Sequence, residues 1–242
     1  MNQYNRKNLR HIEERKYRYE LKYVCSEGEL IQIKKRIETF CKLDPHVDEK
    51  GRYRIRSIYF DDEYNNCFYE NENGTDPREK FRIRVYNEDF SLIFLECKGK
   101  ESNRTFKDYS IITAEDCKNI LEEKITGKYE DDKLLSKFYI QYKGKRLRSK
   151  VIVMYERAPY IYPVGNVRIT LDKNIGGTEK VHNFFDKYLP VRPVMPIGQH
   201  ILEVKYDELL PDFLYQIMNL GNLRQTAYSK YYFIIKFTIG NC

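Results

Sequence analysis

The sequence predicts an α+β fold built on many strands in one compact unit, and three observations carry that expectation. Segments in which charged and apolar residues alternate recur along most of the chain, which is the period of a strand. Helical spacing is confined to short stretches between and after them. The 242 residues include 22 Tyr and 13 Phe with no Trp, and 41% are hydrophobic, a composition suited to a β-rich core with polar handles. No repeat, low-complexity tract or long linker divides the chain.

Residues 1–16 are polar and highly charged, and are expected to be a flexible lead-in to a single domain over 17–242. YRYELKYV (17–24) alternates and reads as a strand. Ser26 with Glu29 forms a capping-box pattern, and Leu30, Ile33, Ile37 and Phe40 follow at helical spacing, so a helix is expected to about Lys42. RYRIRSIYF (52–60) alternates again. A short polar-aromatic helix or loop, capped by Asp61-Asp62, precedes the turn signal Asn73-Gly74-Thr75-Asp76-Pro77. FRIRVY (81–86) and SLIFLECKGK (91–100) predict a hairpin around Asn87-Glu88-Asp89, with a further strand at 104–110. Thr113 caps an expected helix through Ile125, closed by Gly127, and a second helix fits 131–142. Strand character returns at 150–157, 166–172 and 200–206, and Gly176-Gly177 reads as a turn. From Pro211 onward two helices are expected, broken at Gly221-Asn222.

Lys plus Arg total 43 against 36 Asp plus Glu, a formal charge of +7 that suits nucleic acid, anionic lipid or phosphate ligands, or an ordinary basic enzyme. The cysteines (Cys25, Cys41, Cys67, Cys97, Cys117 and Cys242) show no C-x-x-C pair, which fits buried free thiols in a reducing compartment. No stretch approaches the roughly 18 apolar residues of a membrane span, and the opening residues hold no apolar leader. A soluble, cytoplasmic protein is expected. His11, His46, His182 and His200 share no metal-ligand spacing, the phosphate-loop motif is absent, and no recognised nucleic-acid module appears, so nucleic acid is not an expected partner.

The feature that bears on chemistry is a recurring pair of polar residues two apart within the strand-like segments. The pairs are Glu20 and Lys22, Arg54 and Arg56, Arg82 and Arg84, Glu96 and Lys98, Tyr155 and Arg157, and Glu203 and Lys205; Arg168 and Asp172 stand four apart. Residues two apart on a strand share a face, and the residues between are mostly apolar. Any sheet with one solvated side alternates in this way. Arg-x-Arg, however, sets like charges side by side, which an anionic ligand between them would relieve. Pattern alone leaves open whether the charged face is outside or inside.

RYELKYV, YRIRSIYFDD, FRIRVY, LECKGK, VMYERAPY, VRITLD, ILEVKYD and SKYY resemble, in order and spacing, the catalytic domain of the VTC (vacuolar transporter chaperone) proteins, within the triphosphate tunnel metalloenzymes. The resemblance runs from about Tyr17 to Tyr231. It implies a closed, antiparallel, eight-stranded β-barrel with flanking helices, whose walls hold a nucleoside triphosphate or polyphosphate. It also implies a polymerase that moves the terminal phosphoryl of ATP onto inorganic polyphosphate, with Mn²⁺ or Mg²⁺. Carried over by motif, Lys22, Arg56, Arg82, Arg84, Lys98, Arg157, Arg168 and Lys230 would meet phosphate. Tyr155 and Ser229 would add hydrogen bonds, Lys107 a further contact, and Glu203 would hold the metal. Glu20 and Glu96 would either assist the metal or orient neighbouring cations by ion pairing.

Hydrolytic tunnel enzymes begin with Glu-x-Glu-x-Lys; the matching stretch here is Arg18-Tyr19-Glu20-Leu21-Lys22, with arginine in place of the first carboxylate. That departure points toward polymer synthesis and away from triphosphatase or cyclase chemistry. An inorganic or nucleoside triphosphatase, or a polyphosphate-binding module without turnover, are the alternatives. The membrane helices and phosphate-sensing domain of larger relatives have no counterpart in the sequence, so a separate membrane partner stays open.

Overall fold

The fold is that of a computed structural model, described over residues 16–125 and 131–239. Strand β1 (Tyr19–Ser26) leads directly into helix α1 (Glu27–Ile37). Ser26 caps α1 by the expected capping box, and its Oγ accepts from the Glu29 amide while Glu29 accepts from the Ser26 amide. Leu30, Ile33 and Ile37 form the buried stripe. The helix stops at Ile37, short of Lys42, because Lys42–Leu43 (β2) pair with a later strand and draw the chain out of helical conformation. Phe40 is consequently left 52% exposed.

Strand β3 (Tyr53–Asp61) is followed by α2 (Asn66–Glu72), β4 (Arg78–Tyr86), β5 (Ile93–Glu101) and β6 (Arg104–Ile112). Asp61 and Asp62 cap α2 as expected, their carboxylates accepting from the amides of Asn66, Cys67 and Phe68. The β4–β5 hairpin turns through Asn87 and Glu88, both with positive φ. Helices α3 (Ala114–Leu121, capped by Thr113) and α4 (Lys133–Gly144) come next, and the expected Gly127 closure lies outside the described residues. Then follow β7 (Arg148–Tyr162), β8 (Val167–Thr178), β9 (Arg192–Pro193), β10 (Gln199–Tyr206), α5 (Asp212–Ile217), β11 (Arg224–Gln225) and α6 (Lys230–Ile239). Gly176 and Gly177 are not a turn: they lie inside β8, where a side chain would strike the Arg192 carbonyl or Ile234 on α6. The expected lead-in over 1–16 falls, apart from Lys16, outside the described residues.

All pairings are antiparallel, in the order β11-β1-β10-β8-β7-β3-β4-β5-β6. The sheet curls until its ends meet at one bridge, Arg18 to Thr105, with backbone hydrogen bonds of 2.9 and 2.8 Å. The expected closed eight-stranded barrel is met only in part: the strands from β1 to β6 curl round, but a single bridge rather than a ladder joins them, and β11 extends the sheet beyond β1. Beyond that bridge β1 turns to β11, pairing Tyr23 and Val24 with Gln225 and Arg224.

The convex face is apolar and covered by helices. Leu202, Val204, Ile169 and Leu171 pack under α1 and α5. Ile83, Val85, Leu95 and Cys97 pack under α3 and α4. A third cluster occupies part of the concave face, where Tyr231, Ile234 and Ile235 of α6 meet Ile55, Val153 and Tyr155. Burial of these side chains, at about 25 cal/mol per Å² of apolar area, is what holds the sheet curled around its charged strip. No helix among the described residues is long and apolar enough to cross a membrane. The five described cysteines carry free thiols; Cys242 lies outside the described residues.

Candidate active site

The concave face carries a cavity of about 580 Å³. Register explains what lines it, because residues directly paired across antiparallel strands share a face. Lys22 faces Glu203, Glu20 faces Lys205, and Arg157 faces Asp172. Tyr59 faces Arg82, Arg82 faces Glu96, and Lys80 faces Lys98. Ten of the residues singled out in the sequence line this cavity: Glu20, Lys22, Arg82, Arg84 and Lys98 from β1, β4 and β5, Tyr155, Arg157 and Glu203 from β7 and β10, and Ser229 with Lys230 at the start of α6.

Four do not. Arg56 is on the convex face of β3, with residue parity opposite to Tyr59, Ser57 and Tyr53. It is 1% exposed, and its Nη1 donates to the carbonyls of Phe184 and Asp186 at 2.6 and 2.7 Å. Its expected role as a cavity ligand is corrected to a structural one. Arg168 shares the concave register but is drawn to Asp44 at 2.7 Å and to the Tyr53 hydroxyl at 3.1 Å, outside the cavity lining. Glu96 is buried behind the wall, taking Arg82 Nε at 2.6 Å and Lys107 Nζ at 3.0 Å. Lys107 is half-exposed at that pair and does not line the cavity.

The structure adds Lys80, Lys100 and Tyr59 to the lining, together with Lys205, which the sequence paired with Glu203 without a site role. The signal was present: Lys80 precedes Arg82 by two, Lys205 follows Glu203 by two, and Lys100 follows Lys98 by two, so each shares the face of an identified residue.

Charge is tightly interleaved. Glu20 pairs with Lys22 at 2.8 Å and Lys98 at 2.7 Å, and Glu203 pairs with Lys205 at 2.7 Å and Arg157 at 3.6 Å. Burial opposes ionisation of Glu20, but Lys22 and Lys98 outweigh it and hold its carboxyl well below the usual range. Burial likewise opposes charge on Glu203, and Lys205 and Arg157 prevail. Burial pushes the Lys98 and Lys80 ammoniums down, against the pull of Glu20 and Tyr59 respectively. Tyr59 is lowered to about 8: burial works against its ionisation, and Arg82, Arg84 and Lys80 overcome it. A cavity with two half-buried lysines whose ammoniums are pushed down by desolvation and a phenol driven toward its anion is electrostatically set for an incoming polyanion.

Arg84 and Arg82 are held rigidly. Arg84 donates to the Ser57 and Tyr155 hydroxyls at 3.0 and 3.2 Å, and Arg82 to the Tyr59 hydroxyl at 2.8 Å. From α6, Ser229 accepts from Lys80 at 3.1 Å and Lys230 donates to Asp172 at 2.6 Å. Arg18, which stands where a first carboxylate is expected in hydrolytic relatives, pairs with Asp207 at 2.8 Å and is not in the cavity lining. No group of three or more His, Cys, Asp or Glu comes together among the described residues to hold an ion.

A family model described as the VTC domain matches residues 17–238. The fold is similar to that of a candidate adenylate cyclase from Bacillus halodurans, at 14% identity over 88% of this chain and 95% of that one, with a TM-score of 0.51. It is also similar to a candidate adenylyl cyclase from Hippeastrum reported to have a dominant triphosphatase activity. That match has 12% identity, covers 93% and 95% of the two chains, and has a TM-score of 0.53. At such identities the likeness is one of fold. The comparison with curated proteins returned no match.

Proposed function

The chain belongs to the VTC domain family, and from that premise we propose that it is an ATP-dependent polyphosphate polymerase working in the concave cavity. The observation that carries the proposal is the wall of cations from β1, β4, β5, β7 and α6, among them Lys22, Arg82, Arg84, Lys98, Arg157 and Lys230, converging on one strip of the sheet. Phosphoryl transfer asks little covalent work of a protein; alignment of the attacking and leaving oxygens and neutralisation of equatorial charge do most of it. Arginine forks held by Ser57, Tyr59 and Tyr155 are suited to the equatorial oxygens, and lysines to the flanking phosphates.

Among the described residues the cavity offers a pair of neighbouring carboxylates rather than a group of three, which fits a Mn²⁺ or Mg²⁺ ion that shares its coordination with substrate phosphates. Glu203, with Glu20 beside it, would hold such an ion, and the ion would neutralise phosphate charge. The release of these carboxylates from Lys22, Lys98, Lys205 and Arg157 would free those cations for phosphate oxygens at the same time. Arg18 paired to Asp207 supports synthesis over hydrolysis, since no second carboxylate is set there to activate water. The triphosphatase reading is the competitor, and the Hippeastrum protein of similar fold is the reason to test it.

The test is incubation of the purified protein with ATP and Mn²⁺, resolving polymer on a stained gel while free phosphate is assayed. A polymer ladder that is lost in Glu203→Ala and Arg84→Ala is the expected result. Free phosphate without polymer would establish a triphosphatase, and tripolyphosphate binding without either product a binding module.

A further inference from the structure

Asp172 stands on β8 behind the cavity wall and is fully buried. Both of its oxygens are engaged. Arg157 Nε donates to Oδ1 at 2.7 Å and Arg157 Nη2 to Oδ2 at 2.8 Å, while Lys230 Nζ donates to Oδ2 at 2.6 Å. Arg157 is its cross-strand partner on β7, whereas Lys230 opens α6, 58 residues further along the chain. Both cations also lie against one ring: Lys230 Nζ is 4.5 Å and Arg157 Cζ 5.3 Å from the centroid of Tyr155. Two buried cations on one ring repel each other unless an anion lies between them, and Asp172 is that anion. The Tyr155 hydroxyl in turn accepts from Arg84, so Asp172 underlies a linked set that includes three cations of the cavity wall.

We propose that Asp172 is a positioning residue of the phosphoryl-transfer site, fixing Arg157 and Lys230, from two distant parts of the chain, in the arrangement that meets the transferred group. The inference rests on the proposed function. The fork of Arg157 spends two N–H groups on Asp172, and Lys230 spends one of three protons, so both retain donors for the cavity. Burial opposes charge on Asp172, and Arg157 with Lys230 outweighs it and holds the carboxyl down, so the anchor is ionised at neutral pH.

Asp172→Asn keeps the shape of the side chain and removes its charge. Arg157 and Lys230 are then drawn onto whatever phosphate is bound, which preserves ground-state binding but loses alignment. The expected result is a fall of about 100-fold in kcat for ATP consumption, the scale of an ångström-sized misplacement. KM for ATP and Kd for tripolyphosphate should change by less than about threefold. Asp172→Glu, which keeps the charge but moves it by one methylene, should lie between the two. A folded Asp172→Asn protein with unchanged kcat overturns the inference, and so does an equal loss of kcat and tripolyphosphate binding, which would mark a merely structural support.

If Asp172→Asn does not fold, Asp172→Glu decides: unchanged kcat overturns the proposal, and a fall of at least about tenfold with tripolyphosphate affinity kept supports it. Absence of turnover in the wild-type protein sinks the proposed function instead. The positioning role is then read from a double-mutant cycle on tripolyphosphate affinity, in which additive effects of Asp172→Asn and Lys230→Gln overturn it and coupled effects support it.

Discussion

Tyr59 reports the charge of the cavity most directly, because its hydroxyl accepts from Arg82 and its ionisation is lowered to about 8 by Arg82, Arg84 and Lys80 against the cost of burial. A UV titration should show one phenol ionising near pH 8 that is missing in Tyr59→Phe. Tripolyphosphate should move that ionisation upward, since phosphate charge beside the phenol disfavours its anion. The sign for stability follows from a depressed acid. The unfolded phenol ionises near pH 10, so this contribution is absent below the folded value of about 8 and grows as pH rises from about 8 to about 10. An unchanged titration with tripolyphosphate bound would place the anion away from Tyr59. The residue scale also shows where pattern reading stops. Arg54-x-Arg56 and Arg82-x-Arg84 are the same motif on adjacent strands, yet Arg84 lines the cavity while Arg56 is buried on the opposite face. Local sequence determines that such residues share a face; it does not determine which face.

Elements were legible to the extent that their signals are local. The capping box at Ser26 and the cap at Thr113 form as read, the latter completed by Asp116 into a second box, since each lies within four residues. The end of α1 was not legible, because β2 forms only when β7, more than a hundred residues later, is there to pair with it. Gly176-Gly177 was misread for the same reason. Glycine pairs usually mark turns, but here they let a strand pass close to its neighbours. A Cβ on Gly177 would stand 2.4 Å from Ile234 Cδ1 and 2.9 Å from the Ile152 carbonyl. Gly177→Ala should therefore destabilise the fold by about 1–3 kcal/mol through overpacking between β8 and α6, read as a lowered midpoint in urea. An unchanged midpoint would mean that α6 shifts freely on the sheet.

At the scale of the whole molecule, the curled sheet and α6 make the cavity together. The helix packs Tyr231, Ile234 and Ile235 into the concave side and carries Ser229 and Lys230 to the cavity wall. Truncation after Thr226 should thus weaken tripolyphosphate binding at least tenfold and lower the thermal midpoint, measured by calorimetry on the two proteins; full binding by the truncated chain would remove α6 from the site. The sequence by itself determined the strand-rich α+β class, most strands and the capped starts of α1 and α3, because alternation and capping are properties of neighbouring residues; the site candidates came from the family resemblance of its motifs, and ten of the fourteen lie around one cavity. Only the tertiary structure decided that the charged face is concave, that the sheet ends meet at a single bridge, and that Arg56 and Arg168 are held elsewhere by Phe184, Asp186 and Asp44. Those outcomes depend on which side of the sheet the helices cover and on partners distant in the chain, and a period-two pattern is unchanged by turning the sheet over.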